Sequence, residues 1–351
     1  METNKKIKAA VLGATGMVGQ RFVQLLADHP WFEISALASS ERSAGMPYWE
    51  ASRWLHEGDI PPAAADLIVQ PVKPNLDAQL IFSALPAAIA KEVEPQFAEA
   101  GYVVCSNASA YRYDPDVPVI IPEINHDHTA MFERQKKKRG WKGLLVTSPN
   151  CTTTGIAMPL KPLHLAFGIE KVFAVTMQAV SGAGYPGIPY LDIEDNIIPY
   201  IKGEEEKIES ETHLLLGEMK NGERVKATMT VSAQANRVSV KEGHTVCLSV
   251  EFKRKPAVKE VVEVLRAFKG IPDTPRLPGT PENTIIVRDE DDRPQPRRDR
   301  GVNGGMSVTI GRVRPCPILD IRMVSVSHNT LRGAASGSIL NAELLKAKGL
   351  L

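Results

Sequence analysis

Short apolar runs alternate with helical patterns through the first 150 residues of this chain. Each apolar run has the length of a strand, and helical stretches separate several of them. Because parallel strands need crossover connections, the alternation predicts a parallel, doubly wound α/β sheet. The predicted strands are residues 8–14, 33–39, 80–86, 102–107 and 143–148, and the predicted helices are 17–28 and 88–100.

The pattern changes after Cys151. A helical stretch over 152–167 is followed by β-rich runs, and a last helix with an apolar stripe is predicted over 333–349. This order of elements predicts a second, α+β domain with an open, mostly antiparallel sheet. Its predicted strands are 172–182, several runs within 223–255, 306–314 and 318–327.

Composition limits the function classes that this chain can serve. The formal net charge is +1, so no broad field favours nucleic acid or an anionic membrane. The four cysteines lie far apart without CxxC spacing, which argues against a zinc site and a disulfide framework. No run approaches the roughly 20 apolar residues of a membrane span. We therefore predict a cytoplasmic protein without a metal. The basic run at 133–142 predicts a solvated helix end, and the Pro- and charge-rich run at 288–301 predicts a loop.

A glycine-rich segment, GATGMVG (13–19), follows the first predicted strand and opens the first helix. Glycines let the backbone approach a pyrophosphate, and the helix N-terminus supplies amide donors. The motif alone is weak, but its place between a strand and a helix is the expected context. The segment therefore predicts a dinucleotide site rather than a merely tight turn.

The tip of the second predicted strand favours a phosphorylated cofactor. An NAD site usually carries an acid there for the ribose 2′-hydroxyl. This chain offers Ser39, Ser40, Arg42 and Ser43, whose hydroxyls and guanidinium suit a 2′-phosphate. We predict NADP(H), although Glu41 between them could face either the ribose or solvent.

Cys151 stands directly after Pro-Asn in TSPNCTTTG (147–155), where the second domain begins. A thiol in the first turn of a helix lies near unpaired amides and the positive end of the helix dipole, which lowers its pKa. Cysteine is also often buried and inert. Its position at a predicted helix start after a nucleotide domain favours a reactive thiolate.

A thiolate nucleophile needs a partner that exchanges protons, and His244 is the candidate. It follows a glycine in NRVSVKEGHT (236–245), seven residues after Arg237. A histidine distant in sequence that meets a cysteine in space is the usual arrangement for covalent catalysis. Other histidines fall at helix ends, in loops or in a charged helical stretch: His29, His126, His128 and His213.

Motifs along nearly the whole chain resemble aspartate-semialdehyde dehydrogenases, specifically the archaeal and fungal branch. They are GATGMVGQRF, SSERSAG, SNASAYR, SPNCTTTG, MQAVSGAGYPG, GEEEKIESET, RVSVKEGHT, RPQPRRDR and LRGAASGSILNAELL. The resemblance implies NADPH-dependent reductive dephosphorylation of L-aspartyl 4-phosphate to L-aspartate 4-semialdehyde. That reaction belongs to the biosynthesis of lysine, threonine, methionine and isoleucine.

The resemblance also implies catalytic and substrate roles at the matching positions. Cys151 would form the acyl-enzyme thioester, with His244 as general acid/base and Gln178 helping to hold the acyl group. Arg237 would bind the substrate α-carboxylate, and Glu204 would face the amino group.

Further positions match the family's phosphate and cofactor sites. Lys207 and Arg112 would bind the phosphate, with Asn107 and Ser109 as additional contacts, and Asn150 would orient the site locally. The resemblance and the glycine-rich motif together imply cofactor contacts at Gly13, Thr15, Gly16, Met17, Val18, Leu85, Ser181, Gly182 and Asn329, with Ala334 near the nicotinamide.

Three other functions compete with this reading. N-acetyl-glutamyl-phosphate reductase also uses a cysteine with a histidine, but the motifs at 149–155 and 204–207 fit it poorly. Malonyl-CoA reductase resembles the same branch and uses the same nucleophile, while Glu204 and Arg237 suit an amino-acid substrate. A non-catalytic NADP-binding sensor would have no need of both Cys151 and His244.

We predict three parts. They are a Rossmann-like NADP-binding domain (1–149), a catalytic and dimerisation domain (150–330), and a C-terminal helix (331–351) that packs back on the first domain. The resemblance implies a homodimer or homotetramer formed through the sheet of the second domain, without nucleic acid or membrane as a partner.

Overall fold

The computed structural model describes residues 5–351, and their order of elements follows the predicted alternation. The strands of the first part are β1 (Ile7–Leu12), β2 (Phe32–Ser39), β3 (Gln70–Pro71), β4 (Leu80–Ser83), β5 (Val103–Ser106) and β6 (Leu144–Thr147). The helices are α1 (Met17–Leu26), α2 (Tyr48–Ala51), α3 (Pro62–Ala65), α4 (Ala87–Ala100), α5 (Pro122–Asn125) and α6 (Met131–Arg139).

Within the described residues these strands form one parallel sheet of six, in the order β3-β2-β1-β4-β5-β6. Its central strands are apolar on both faces, and Ala9, Ala10, Val11 and Leu12 of β1 are completely buried. Helices on both faces account for such continuous apolar strands. The chain runs from β1 to one side and later returns to the other, so the carboxyl end of β1 is the switch point where ligands bind in such sheets.

The second part begins with a long helix. Its helices are α7 (Cys151–Phe167), α8 (Tyr190–Ile193), α9 (Glu204–Leu215), α10 (Val258–Ala267) and α11 (Pro296–Asp299), and α12 (Ala335–Ala347) ends the chain. Its strands are β7 (Ile169–Ala179), β8 (Ile197–Ile198), β9 (Glu218–Lys220), β10 (Glu223–Val225), β11 (Thr230–Val238), β12 (His244–Phe252), β13 (Ile285–Val287), β14 (Val308–Pro315) and β15 (Ile321–Ser327).

Seven of these strands form an open sheet in the order β13-β14-β15-β12-β7-β11-β8 within residues 5–351. Four neighbouring pairs are antiparallel, whereas β7/β11 and β13/β14 are parallel. Helices α7, α9 and α10 pack on this sheet or on one another, while side chains such as Phe173 and Cys247 stay exposed. The predicted fold class, a Rossmann-like sheet plus an α+β domain with a mostly antiparallel sheet, is confirmed.

The C-terminal helix α12 packs against α1 and β5 and shares their apolar core. The exact limits of the three predicted parts stay a prediction. No helix in the described part of the chain has both the length and the apolar character needed to cross a bilayer.

Two polar segments are more ordered than their composition predicts. The basic run at 133–142 is not wholly a solvated helix end, because Lys138 and Arg139 donate to the buried Asp116 at 2.7 and 2.6 Å. The predicted loop at 288–301 contains the short helix α11, whose buried Asp299 accepts from Arg293. Buried carboxylates that receive charge-assisted hydrogen bonds hold both segments in place.

Candidate active site

Cys151 is the first residue of α7. Asn150 caps this helix, because its side-chain oxygen accepts from the backbone amides of Thr152 and Thr153 at 2.8 and 3.0 Å. Beside the cysteine, a Cβ on Gly333 would lie 2.7 Å from the Cys151 Cβ. Only glycine therefore leaves room for the thiol, and this neighbour gave no signal in the sequence reasoning.

The predicted partner lies against the thiol. His244 begins β12 and is completely buried, and its Nε2 is 3.2 Å from the Cys151 Sγ. The other ring nitrogen, Nδ1, accepts from the backbone amide of Ala179 at 3.0 Å. Because Nδ1 is occupied as an acceptor, a neutral His244 carries its proton on Nε2 and presents it to the sulfur.

The charge state of this pair differs from the expectation of a thiolate. Burial raises the pKa of Cys151 to about 12, and the charge of Glu204 acts in the same direction against Arg112 and Arg237. Burial, followed by the charges of Arg237 and His328, lowers the pKa of His244 to about 3. Both shifts favour the uncharged forms, so the resting pair is a neutral thiol beside a neutral imidazole.

Residues predicted for the substrate's amino-acid end surround the thiol. Neighbouring strands bring Arg237 of β11 level with Gln178 of β7. Arg237 is buried and donates to the carbonyl of Ala179 at 2.8 Å. Glu204 begins α9 and accepts from the Asn150 side-chain amide at 2.9 Å. These residues line one cavity of 560 Å³ together with Cys151.

The predicted phosphate residues line the same cavity. Arg112, Asn107, Ser109 and Lys207 all border it. Both polar side-chain atoms of Asn107 are buried without a hydrogen-bond partner, so they are available to a ligand. Arg112 is already engaged, since it donates to Glu211 at 2.9 Å and to the Asn107 carbonyl at 2.7 Å.

The nucleotide end lies at the switch point of the first sheet. Gly13 has φ +73, and a Cβ there would lie 2.9 Å from the Ala84 carbonyl oxygen. Gly16 precedes α1 without a side-chain cap, which leaves the first amides of the helix open to an anion. The hydroxyls of Thr15 and Ser39 are 2.7 Å apart. These features fit a dinucleotide pyrophosphate.

The remaining cofactor candidates divide between two places. Ser40 and Arg42 are exposed in the turn after β2, with Ser43 beside them. Val18, Leu85, Ser181, Gly182, Asn329 and Ala334 border the cavity of Cys151, and Met17 borders an adjoining cavity of 480 Å³. The predicted cofactor residues therefore run from the tip of β2 to the thiol.

Asn329 links the residue before His244 to the predicted cofactor contacts. Its side-chain oxygen accepts from the Gly243 amide at 2.8 Å, and its amide donates to the Ser181 hydroxyl at 2.8 Å. A Cβ on Gly182 would lie 2.8 Å from Arg237 Nη1, so glycine permits the close approach there. Among residues 5–351, no three His, Cys, Asp or Glu side chains converge as metal ligands do.

Sequence reasoning missed several buried or partly buried polar residues behind the site. Glu242 accepts from Arg21 of α1 at 2.9 Å, and Arg300 donates to the Glu242 carbonyl at 2.9 Å. These contacts brace the turn before His244 and give the Arg- and Pro-rich segment a structural role. Glu211 accepts a hydrogen bond from Arg112. Its helical spacing from Glu204, on the same face of α9, is the sequence feature that could have pointed to it.

Comparisons with known proteins identify the family of the chain. A family model for the semialdehyde dehydrogenase NAD binding domain matches residues 8–132, and one for the semialdehyde dehydrogenase dimerisation domain matches 160–332. An aspartate-semialdehyde dehydrogenase of Archaeoglobus fulgidus is 51% identical over 342 residues, which cover 97% of this chain and 98% of that protein.

Two further relatives bear on the cofactor and the rival function. The crystal structure of aspartate-semialdehyde dehydrogenase with NADP from Candida albicans matches with a TM-score of 0.91 at 43% identity, covering 99% of this chain and 100% of that one. A malonyl CoA reductase (NADP) of Metallosphaera sedula is 43% identical, covering 99% of both chains. With such identity along nearly its whole length, and with the predicted motifs in place, the chain belongs to the aspartate-semialdehyde dehydrogenase family.

Proposed function

We propose that this protein catalyses the NADPH-dependent reductive dephosphorylation of L-aspartyl 4-phosphate to L-aspartate 4-semialdehyde, in the biosynthesis of lysine, threonine, methionine and isoleucine. The observation that carries the proposal is the 3.2 Å contact between Cys151 Sγ and His244 Nε2, with Cys151 lining a cavity that also holds the candidate amino-acid and phosphate side chains. A thiol can displace phosphate from an acyl phosphate, because that group is already activated.

The cavity offers partners for each charged group of the substrate, and the two sets of side chains adjoin, because Lys207 Nζ lies 3.6 Å from the Glu204 carboxylate. The buried guanidinium of Arg237 provides paired donors for the α-carboxylate, and Glu204 provides an acceptor for the α-ammonium group. Lys207, Arg112 and the unpartnered amide of Asn107 provide cationic and polar donors for the phosphate.

The covalent step transfers the acyl group to sulfur. Cys151 Sγ attacks the acyl carbon, the new C–S bond forms, and the bond between carbon and the phosphate oxygen breaks. Phosphate leaves with that electron pair and takes up the thiol proton, while Arg112 and Lys207 stabilise its charge. The Nε2–H of His244 can donate to the sulfur and to the substrate carbonyl oxygen, which gains negative charge during the attack. Gln178, at the end of β7, helps to hold the acyl group.

The residues that would hold the cofactor fit NADP(H). The glycine turn and open amides at the start of α1 suit the pyrophosphate, and Ser40, Arg42 and Ser43 suit the 2′-phosphate. When bound, NADPH supplies the hydride that reduces the thioester carbon.

Malonyl-CoA reductase is the second candidate, because a relative with that name is 43% identical to the chain. The deciding experiment compares NADP⁺ reduction with aspartate semialdehyde and phosphate against NADPH oxidation with malonyl-CoA. We expect turnover of the semialdehyde that depends on phosphate. Activity with malonyl-CoA alone would remove the roles proposed for Glu204, Arg237 and the phosphate residues.

Replacement of Arg42 by alanine is expected to shift cofactor preference toward NAD. The exposed guanidinium would lose its charge-assisted contact with the 2′-phosphate, which corresponds to about a tenfold rise in KM for NADPH with KM for NADH nearly unchanged. Steady-state kinetics with both cofactors measure the ratio. Glu41→Gln is the neighbouring control. An unchanged ratio in Arg42→Ala, or a selective loss of NADH binding in Glu41→Gln, would contradict the assignment.

We further propose a cytoplasmic homodimer, or a homotetramer of dimers, built on the exposed face of the second sheet. An apolar groove of 380 Å³ on that sheet is lined by Phe173, Ile318 and Leu319 among others, and Phe173 and Ile318 are exposed. Such a patch on a soluble protein marks an association surface.

Phe173→Glu is expected to weaken that association by at least about tenfold in Kd, because burying an unpaired carboxylate in the interface is costly. Light scattering over a concentration series measures the mass. Leu165→Glu, at an exposed position on α7, is the control. A wild-type protein that stays monomeric at all concentrations would refute the proposed oligomer.

A further inference from the structure

Glu211 is a buried carboxylate that the mechanism above does not use. It lies on α9 seven positions after Glu204, so both side chains leave the same face of that helix. Its side chain has no solvent exposure. A buried carboxylate of this kind is stable only when charged or polar donors surround it.

The donors to Glu211 come from two segments of the site. Arg112 Nη1 donates to Oε1 at 2.9 Å, and the hydroxyl of Tyr113 approaches the same oxygen at 3.4 Å. The backbone amide of Asn150, directly before Cys151, donates to Oε2 at 2.5 Å. One carboxylate therefore connects the predicted phosphate-binding arginine with the residue that precedes the nucleophile.

This geometry leaves Arg112 with donors to spare. A guanidinium has five N–H groups, and Arg112 uses one on Glu211 and one on the Asn107 carbonyl. The pairing with Glu211 fixes the plane of the guanidinium, so the remaining N–H groups have a set direction at the cavity wall. Orientation of this kind is what a displacement reaction requires of groups that bind the leaving phosphate.

We propose that Glu211 is a positioning residue for phosphate: it orients Arg112 and holds the Asn150 amide, and so sets the phosphate site relative to the Cys151 sulfur. This inference rests on the proposed function, because that function makes Arg112 a phosphate ligand. Glu211 itself is buried and does not line the cavity.

The test compares Glu211→Gln with Glu209→Gln in the full-length protein. Glu209 is a matched control, since it lies on the same helix and accepts from the Ala233 backbone amide at 3.0 Å, outside the cavity. For each variant, KM for phosphate, KM for aspartate semialdehyde and kcat are measured in the oxidative direction. The rate of Cys151 alkylation by iodoacetamide is measured with and without inorganic phosphate.

Glu211→Gln is expected to raise KM for phosphate by about tenfold or more and to lower kcat, with KM for the semialdehyde within about twofold of wild type. Glu209→Gln is expected to leave all three constants unchanged. An unchanged KM for phosphate in folded Glu211→Gln, or an equal rise in both KM values, would overturn the proposal.

A double-mutant comparison tests the coupling independently, and the double variant Arg112→Ala/Glu211→Gln, unlike either single variant, leaves neither partner as an unpaired buried charge. If Glu211 acts through Arg112, adding Glu211→Gln to Arg112→Ala changes KM for phosphate by less than about twofold. A full additional tenfold loss would refute the coupling.

The alkylation assay separates this inference from the proposed function. If the wild type does not turn over the semialdehyde with phosphate, the proposed function fails. Phosphate protection of Cys151 that is present in the wild type and lost in Glu211→Gln would still support the positioning role. Absence of protection in the wild type would overturn it.

Discussion

Replacement of Cys151 by serine is expected to lower turnover by at least about 10⁴-fold, as removal of a covalent nucleophile does in other enzymes. The hydroxyl is a far weaker nucleophile than the thiol, and the site offers it no strong base. The ring nitrogen of His244 that faces it already carries the proton, because Nδ1 accepts from the Ala179 amide. Serine would therefore keep the shape of the site but lose the chemistry.

Two measurements check this result. Steady-state rates report the loss of turnover, and a fluorescence titration with NADPH reports cofactor affinity, which is expected to be unchanged. Cys247→Ser is the matched control, since that thiol is exposed on the second sheet and does not border the cavity. A 10⁴-fold loss leaves about 0.01% of wild-type turnover. Residual turnover above about 1% would therefore mean that another residue forms the intermediate.

Replacement of His244 by asparagine is expected to lower kcat by about 10²- to 10³-fold, the range for loss of one hydrogen-bond donor to a developing oxyanion. The side-chain oxygen of asparagine can still accept from the backbone amide of Ala179. The shorter side chain does not extend to the position of Nε2, which lies 3.2 Å from the sulfur. The hydrogen bond to the sulfur and to the developing oxygen is therefore lost, while the backbone contact is kept.

A second histidine serves as the control for this variant. His213→Asn changes a partly buried ring that contacts the Ala227 carbonyl away from the cavity, and it is expected to retain wild-type kcat. Binding of NADPH is expected to be the same in both variants. A His244→Asn protein with more than about a tenth of wild-type kcat would exclude His244 as the hydrogen-bond donor of the reaction, since such a donor contributes at least about 10²-fold.

The pKa directions show why local sequence was a poor guide to the state of the nucleophile. The helix-start position of Cys151 predicts a lowered pKa, whereas burial raises it to about 12. Burial is produced by the surrounding walls, including Gly333, which lies far along the chain. The strength of desolvation depends on how tightly those walls close, and a single helix start carries no information about that.

The sequence by itself determined the local elements and the family. The glycine turn before α1, the strand that precedes this turn and the helix start at Cys151 depend on neighbouring residues, so their patterns were readable. The motifs for Cys151, Arg237 and His244 also identified the family. Their individual roles stay predictions until the variants are measured.

Only the tertiary structure decided which side chains meet and in which state. Cys151 and His244 are 93 positions apart, and Arg112 and Glu211 are 99 apart. Periodicity reports only whether a residue is buried on its own element, whereas a contact across elements depends on how sheets and helices pack. The sequence motifs therefore indicated Cys151 and His244 as candidates without showing their contact. The Nε2 proton of His244, the neutral resting pair and the place of Glu211 behind Arg112 came from packing.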